Sequence, residues 1–488
     1  MKTSFLTCKA LKAALFCLVA VAAAGAGPAG AQTMVNVATD QTDPLNLTDS
    51  EPSISVNPLN PSDIAIVTFS EPWEAQVGAP VWRSLDGGVT WTKTRVIPRP
   101  ATRGRGPGDQ FLAYDAAGRL FVAELELPSN GGRFPFNYVY RQNTVNDTAL
   151  TAGGTYGDDQ PLLAVDRTAG RPCSNRIYSP WLKFPRETPP RERVRSMVSH
   201  SANDGTTMTD VGAGDHSTHP NRTTRIAVGQ SDGSVYIIYK VQQGSDTNTP
   251  RHFERAQFRV TRSDDCGLTW SGLSAAGTPV HGPNQVLTWY TNEFGDPTKG
   301  PTNRARSSDA WIAVDPRDGD VYAAYVKKDD SGFGQLYVAR STDRGATWTS
   351  TRATDGLSNA AFPVIAVTDN GSVGLLYVDY EISGNKIFFR HRFARSADNG
   401  ASWTQKTLQS MDPSVLIHPK DEIDTFIWGD YEGLTAIGNT FYGVFTGQSL
   451  PGKRTKTQLD PIFFTEPATP QVAPATPQAV SVQPARSR

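Results

Sequence analysis

The sequence predicts an all-β chain, a β-propeller of about seven four-stranded blades, and three observations predict it. An eight-residue turn pattern recurs four times, a strand–turn–strand unit recurs seven times, and no long apolar stretch of helical period interrupts them. The composition agrees: 43 glycines, 35 prolines and 10 tryptophans in 488 residues suit short strands joined by many turns. Six blades plus an insertion is the alternative. A propeller can take up this whole length as one domain. Lys plus Arg number 47 and Asp plus Glu 48, so the net charge gives no reason to expect nucleic acid as a partner.

The N-terminal 31 residues read as a signal peptide. Lys2, Lys9 and Lys12 form the basic start, residues 13–24 the apolar run, and Ala29-Gly30-Ala31 the exit before Gln32. The expected protein is therefore secreted or periplasmic. No later segment reaches the length of a membrane span, and Cys8 and Cys17 leave with the signal. The propeller is expected over 32–466. Residues 467–488, rich in Pro, Ala, Gln and Val without periodicity, read as a disordered tail. A monomer is expected.

The turn pattern S-x-D-x-G-x-[ST]-W stands at 84–91, 263–270, 341–348 and 396–403, with worn versions at 201–208 and around 143–148. In such a turn Asp accepts backbone N–H bonds across the loop, Gly supplies a positive φ, and Trp packs the turn onto its blade. The strand–turn–strand unit begins near Ile54, Leu112, Leu163, Ile226, Ile312, Ile365 and Leu434. The last copy is followed by one good strand, at Ile462-Phe463-Phe464, so its outer strand is expected from 34–38, which would close the ring. Polar connections at 185–195, 211–221 and 273–308 are candidates for loops that shape a mouth.

Aligning the seven units on the position of Ile54 gathers the residues before each first strand into a ring at the funnel mouth. The pairs are Ser50-Glu51, Gly108-Asp109, Asp159-Gln160, Arg222-Thr223, Ser308-Asp309, Ala361-Phe362 and Asp430-Tyr431. Five of the seven carry a carboxylate. The second strands return to the same face and add Glu71, Glu124, Glu126, Lys183, Lys327, Asp379 and Glu381. Clustered carboxylates raise one another's pKa and point to acid–base chemistry, a metal or a basic ligand. The candidate catalytic residues are Asp109, Asp309, Glu51, Asp430 and Tyr431. Asp159, Arg222, Arg306, Glu124 and Asp379 are candidates for substrate binding. Other readings of the ring are a Ca²⁺ site and carboxylates that cap strand starts or pair with nearby arginines; no cofactor is required. The nucleophile elbow, zinc helix and phosphate loop of other hydrolases are missing from the sequence.

The four turns resemble the Asp-box of sialidases and related propellers, and the resemblance covers almost the whole chain after the signal. It implies that the boxes lie opposite the active site and that their aspartates are structural. It also implies a sugar-binding funnel and an oligo- or polysaccharide as substrate. Sialidases place an arginine in a Phe-Arg-Ile-Pro motif to hold the substrate carboxylate, whereas this chain reads Glu51-Pro52-Ser53-Ile54, which favours a neutral or basic sugar. The expected activity is glycoside hydrolysis, with a polysaccharide lyase and a non-enzymatic carbohydrate- or protein-binding propeller as alternatives. Cys173, in the first turn of the third blade, and Cys266, in the box of the fourth, both fall on the face away from the mouth. They form either a bridge between blades or two free thiols.

Overall fold

The computed structural model describes residues 34–43, 49–70, 79–97, 103–128, 136–184, 194–217, 224–242, 256–270, 310–328, 334–356, 360–383, 386–411, 431–455 and 457–468. All lie in the compact unit Thr33–Arg488. They form seven antiparallel sheets and, among the described residues, no helix. Six sheets have four strands and the fourth in chain order shows three. The inner strands are Asp49–Val56, Arg103–Tyr114, Ala164–Val165, Thr224–Val228, Trp311–Val314, Ala360–Val367 and Gly433–Ile437. Each packs against the next, and the last against the first, so the sheets are the blades of a closed seven-bladed propeller.

Alternation explains the packing. A blade is covered on both faces by its neighbours, so its central strands read as unbroken apolar runs. Val321, Tyr322, Ala323, Ala324, Tyr325 and Val326 are all buried. Apolar clusters fill the spaces between blades; Ile54, Val56, Ile66 and Trp82 of blade 1 meet Val37, Tyr442, Val444 and Phe463 of blade 7. Each such large side chain contributes roughly 1.5–3 kcal/mol on burial.

The box turns are held by one repeated set of bonds. In the first, Gly88 N donates to Ser84 Oγ at 2.8 Å, Thr90 N donates to Asp86 Oδ1 at 2.9 Å, Thr90 Oγ1 donates to Asp86 Oδ2 at 2.6 Å, and Trp91 Nε1 donates to Gly88 O at 3.0 Å. The turns at 341–348 and 396–403 repeat all four. In the turn at 263–270 the side-chain bonds recur, but Trp270 Nε1 has no partner among the described residues. The worn copy at 201–208 keeps the frame with Asn203 in place of Asp. The segment at 143–148 is a different turn, in which Asp147 accepts from Asn143 N and Thr144 N. Gly88, at φ +94, has no room for a side chain, since a Cβ there would lie 2.0 Å from the ring of Phe463.

The hydroxyls of Thr90 and Thr347, then their backbone N–H groups, hold Asp86 and Asp343 at a pKa of about 2. A depressed carboxylate contributes stability above its unfolded pKa, about 3.9, and loses it as pH falls through the folded value. The melting temperature is therefore expected to fall between about pH 4 and pH 2. Asp343→Asn should flatten part of that fall and cost about 1 kcal/mol at neutral pH, because the exposed site is screened by solvent. Melting curves across that range check both.

The ring closes as the sequence predicts. Val35–Asn36 pairs antiparallel with Leu459–Pro467, Val35 opposite Phe463 and Asn36 opposite Ile462, as the outer strand of blade 7. A buried polar latch fastens it. The guanidinium of Arg454, fully buried, donates to Asp43 Oδ2 at 3.0 Å and to Asp460 Oδ1 at 2.9 Å. Asn36 Nδ2 donates to Asp460 Oδ2 at 2.8 Å, and Leu450 N to Asn36 Oδ1 at 2.8 Å.

One expected loop is a strand instead. Residues 211–217 belong to Thr209–Ser217, the outer strand of blade 3. Gly212 and Gly214 interrupt the apolar alternation there; a Cβ at Gly212 would meet the guanidinium of Arg195. Cys173 and Cys266 are disulfide-bonded across blades 3 and 4, with Cα atoms 5.2 Å apart and a sequence separation of 93. Loop closure of this length is worth roughly 4–5 kcal/mol in the chain-entropy model. Reduction is expected to lower the melting temperature accordingly, whereas Cys173→Ser/Cys266→Ser should melt low with or without reductant.

Candidate active site at the funnel mouth

The inner strands share an irregularity at the end where they begin. In blade 1 Ser50 pairs with Phe69 and Ser53 with Val67, so Glu51 and Pro52 together face Thr68. In blade 2 Gly108 pairs with Leu125 and Phe111 with Ala123, which leaves Asp109 and Gln110 facing Glu124. In blade 6 Phe362 and Pro363 face Tyr377 in the same way. Each bulge begins with a left-handed residue that carries a side chain: Glu51 at φ 50°, Asp109 at 47° and Phe362 at 49°, with Gln160 at 54° in the matching place of blade 3. Such residues cost of order 1–3 kcal/mol each and re-aim side chains. The remaining non-glycine residues with positive φ, Asn175, Asp204, Cys266, Arg344 and Asn399, sit in turns of the opposite face. At three of these four positions proline follows, at Pro52, Pro161 and Pro363, where its missing N–H leaves no ladder bond unmade.

Around this rim the carboxyl groups stand in unlike surroundings. Glu51 is buried and Asp109 half-buried. Asp159 is also half-buried and accepts from Gln160 N at 3.1 Å. Glu124 and Glu126 are fully buried on the second strand of blade 2. Burial, and then the charges of Glu124 and Glu126, push the Tyr140 phenol upward. Asp379 is fully buried too and accepts from Arg390 Nε and Arg392 Nη1, each at 3.1 Å, so it anchors strands within blade 6.

The axis carries an aromatic and cationic layer. The Tyr431 ring lies 4.5 Å from that of Phe111, and the buried guanidinium of Arg225 lies 5.0 Å from the Trp311 ring and 5.7 Å from that of Tyr431. Beside Tyr431, Glu432 is buried, with Oε1 3.2 Å from His391 Nε2 and Oε2 accepting from Thr446 N at 2.8 Å. Burial raises the Glu432 carboxyl above the usual range, partly offset by His391. His391 in turn stacks on Phe445 at 4.4 Å.

Of the residues proposed from sequence, the structure places Glu51, Asp109, Asp159, Glu124 and Tyr431 at this end of the ring. Asp309, Asp430, Arg222 and Arg306 lie outside the described residues, as does Glu71. Sequence reasoning missed Arg225, Glu432 and His391. Arg225 had a signal: its place in the other six units is taken by Ser53, Phe111, Leu162, Trp311, Val364 and Gly433, so it is the single charge there. Glu432 and His391 had none, because their partnership joins two blades.

No family model matches the chain, and no curated protein does. Solved structures do match. An ulvan lyase, of a new family of polysaccharide lyase, is 12% identical over 88% of this chain and 95% of its own, with a TM-score of 0.51, and has also been solved with -[GlcA(1-4)Rha3S]- bound. An α-L-arabinanase of Penicillium chrysogenum, complexed with arabinobiose, is 11% identical over 90% of this chain and 99% of its own, with a TM-score of 0.46. A sialidase of Trypanosoma rangeli is 13% identical over 72% of this chain and 55% of its own, with a TM-score of 0.39. At these identities the likeness is one of fold, the propeller. Among the described residues no helix is long and apolar enough to cross a membrane.

Proposed function

We propose that the protein is an exported carbohydrate-active enzyme that cleaves an oligo- or polysaccharide at the funnel mouth, as a glycoside hydrolase. The observation that carries this reading is the set of strained, side-chain-bearing residues at equivalent places of four blades, all at one end, two of them the carboxylates Glu51 and Asp109. Backbone strain of this kind persists where surrounding structure holds it, and it gathers at active sites. Glycosidic cleavage needs one carboxyl group as acid and another as base or nucleophile, and a buried and a half-exposed carboxyl group supply the unlike environments that this division of labour uses. Asp109 is assigned as the acid, with Glu51, Asp309 or Asp430 as its partner. Export rests on the signal at 1–31 and agrees with the disulfide. Ca²⁺ bound by the ring is the structural alternative.

A second reading, β-elimination from a uronic acid, is favoured by Arg225 beside Tyr431, a cation and a phenol that could neutralise the sugar carboxylate and move the α-proton. One assay separates the readings: a panel of neutral, acidic and sialylated polysaccharides is followed for new reducing ends and for the ultraviolet absorbance of unsaturated sugars. New reducing ends without absorbance support the hydrolase, and both together the lyase. Silence across the panel, with glycan or protein binding retained, overturns the enzyme.

A further inference from the structure

The propeller axis encloses a cavity of 580 Å³ walled by inner strands of all seven blades, within the usual range for small-molecule sites, about 300–1,000 Å³. Phe111 and Trp311 bound it toward the mouth, and Pro58, Leu59, Pro316 and Gly438 stand where the inner strands end, on the opposite face. Two charged residues line that lower end, Arg167 after the inner strand of blade 3 and Asp369 after that of blade 6. Blades 3 and 6 of seven face each other across the axis. The backbone N–H of Arg167 donates to Gln230 Oε1 at 2.9 Å, and that of Asp369 to Gly438 O at 2.8 Å. Both charged ends, by contrast, form no hydrogen bond or ion pair with any described residue, and they lie beyond ion-pair distance of one another.

Arg167 is half-buried and Asp369, where the channel opens, is exposed, so partial desolvation disfavours the charge on each. It lowers the Arg167 guanidinium and raises the Asp369 carboxyl, and each is relieved only by the other's field. Asp315, which also acts on Asp369, is occupied by Arg317, whose Nη2 lies 2.7 Å from its Oδ2. Opposite charges facing each other across a cavity of mixed polar and apolar lining, without an ion pair between them, are matched by a molecule that carries both complements.

The geometry points to a second ligand site in the lower channel, for a small zwitterion of the amino-acid type with an apolar body. Its carboxylate would sit on Arg167, its ammonium on Asp369, and its apolar part against Ile226, Val228, Val314 and Val367. This site lies at the other end of the axis from the carboxylate ring and does not depend on what the ring does.

Thermal shift and calorimetric titration of the intact protein with L-leucine and L-phenylalanine test it, beside 4-methylpentanoate and isoamylamine, which keep one charge each. The amino acids are expected to raise the melting temperature with concentration, as any ligand of the native state does. Each half-molecule should bind less tightly, and Arg167→Gln and Asp369→Asn should each weaken the amino acids by roughly tenfold or more. Neither side chain holds the fold, so both variants should melt near the parent protein and keep any glycan-cleaving activity. No binding of either amino acid up to roughly 10 mM, a level at which even weak sites fill, overturns the site and leaves the gap to water. Binding of the acid as tight as that of the amino acid, unmoved by Asp369→Asn, overturns the zwitterion.

Discussion

Asp109→Asn is expected to lower turnover by roughly 100-fold or more, the usual contribution of a general acid or base. The substitution is chosen for its backbone. Asp109 sits at φ 47°, and asparagine is among the few side chains that accept the left-handed region readily. The bulge facing Glu124 should survive, and an activity loss then reports chemistry. Asp343→Asn, on the opposite face, is the control: it should soften the fold while the folded fraction keeps its turnover. Retention of full turnover by Asp109→Asn, on a substrate that the parent cleaves, would move the acid to another carboxylate of the ring. If Asp109→Asn and a chelator instead produce the same loss of heat stability, the ring is a Ca²⁺ site.

Arg454→Ala should be the most destabilising single change away from the apolar core. It leaves the carboxylates of Asp43 and Asp460 buried without the guanidinium that both face, and breaking a buried ion pair from one side costs about 3–5 kcal/mol. Asp43→Asn/Asp460→Asn in the Arg454→Met background removes the orphaned charges and should recover much of the loss. Urea denaturation of the three proteins measures this. A single-variant cost below about 1 kcal/mol would mean that water reaches the latch.

The fold is legible in the sequence because its determinants are local. Eight consecutive residues close each box turn, and a doubly covered strand announces itself as an apolar run such as 321–326. The closing strand is legible by subtraction, since blade 7 lacks one. The outer strand of blade 3 is not, because Gly212 and Gly214 carry no alternation to read. The site is legible in one coordinate only. Alignment on Ile54 finds the rank of residues at the mouth, yet it says nothing about what stands behind each. Asp379 and Asp109 look alike in sequence; one is held by Arg390 and Arg392 of its own blade, and the other lies half-open at the rim. The strain had a trace, the Glu-Pro, Gln-Pro and Phe-Pro steps at 51, 160 and 362, but a dipeptide acquires that meaning only once the bulge is seen. His391 and Glu432 meet from different blades, and such pairings depend on how sheets stack rather than on any spacing along the chain.

The latch of blade 7 also sets how this molecule breathes. Asn36 and Asp460 bond across 424 residues of chain. Closing a free loop of that length costs roughly 5 kcal/mol, a term that grows only with the logarithm of length. Once the other six blades have stacked, most of that entropy has already been lost, and the two-residue strand meets its groove as a tethered ligand would, at high effective concentration. Docking and release of Val35–Asn36 are then a sub-global opening with its own free energy, smaller than that of unfolding a central blade. The seam of the ring is therefore expected to open at a lower free energy than a central blade, while the mouth-forming bulges of blades 1, 2 and 6 each lie within sheets contiguous in the chain.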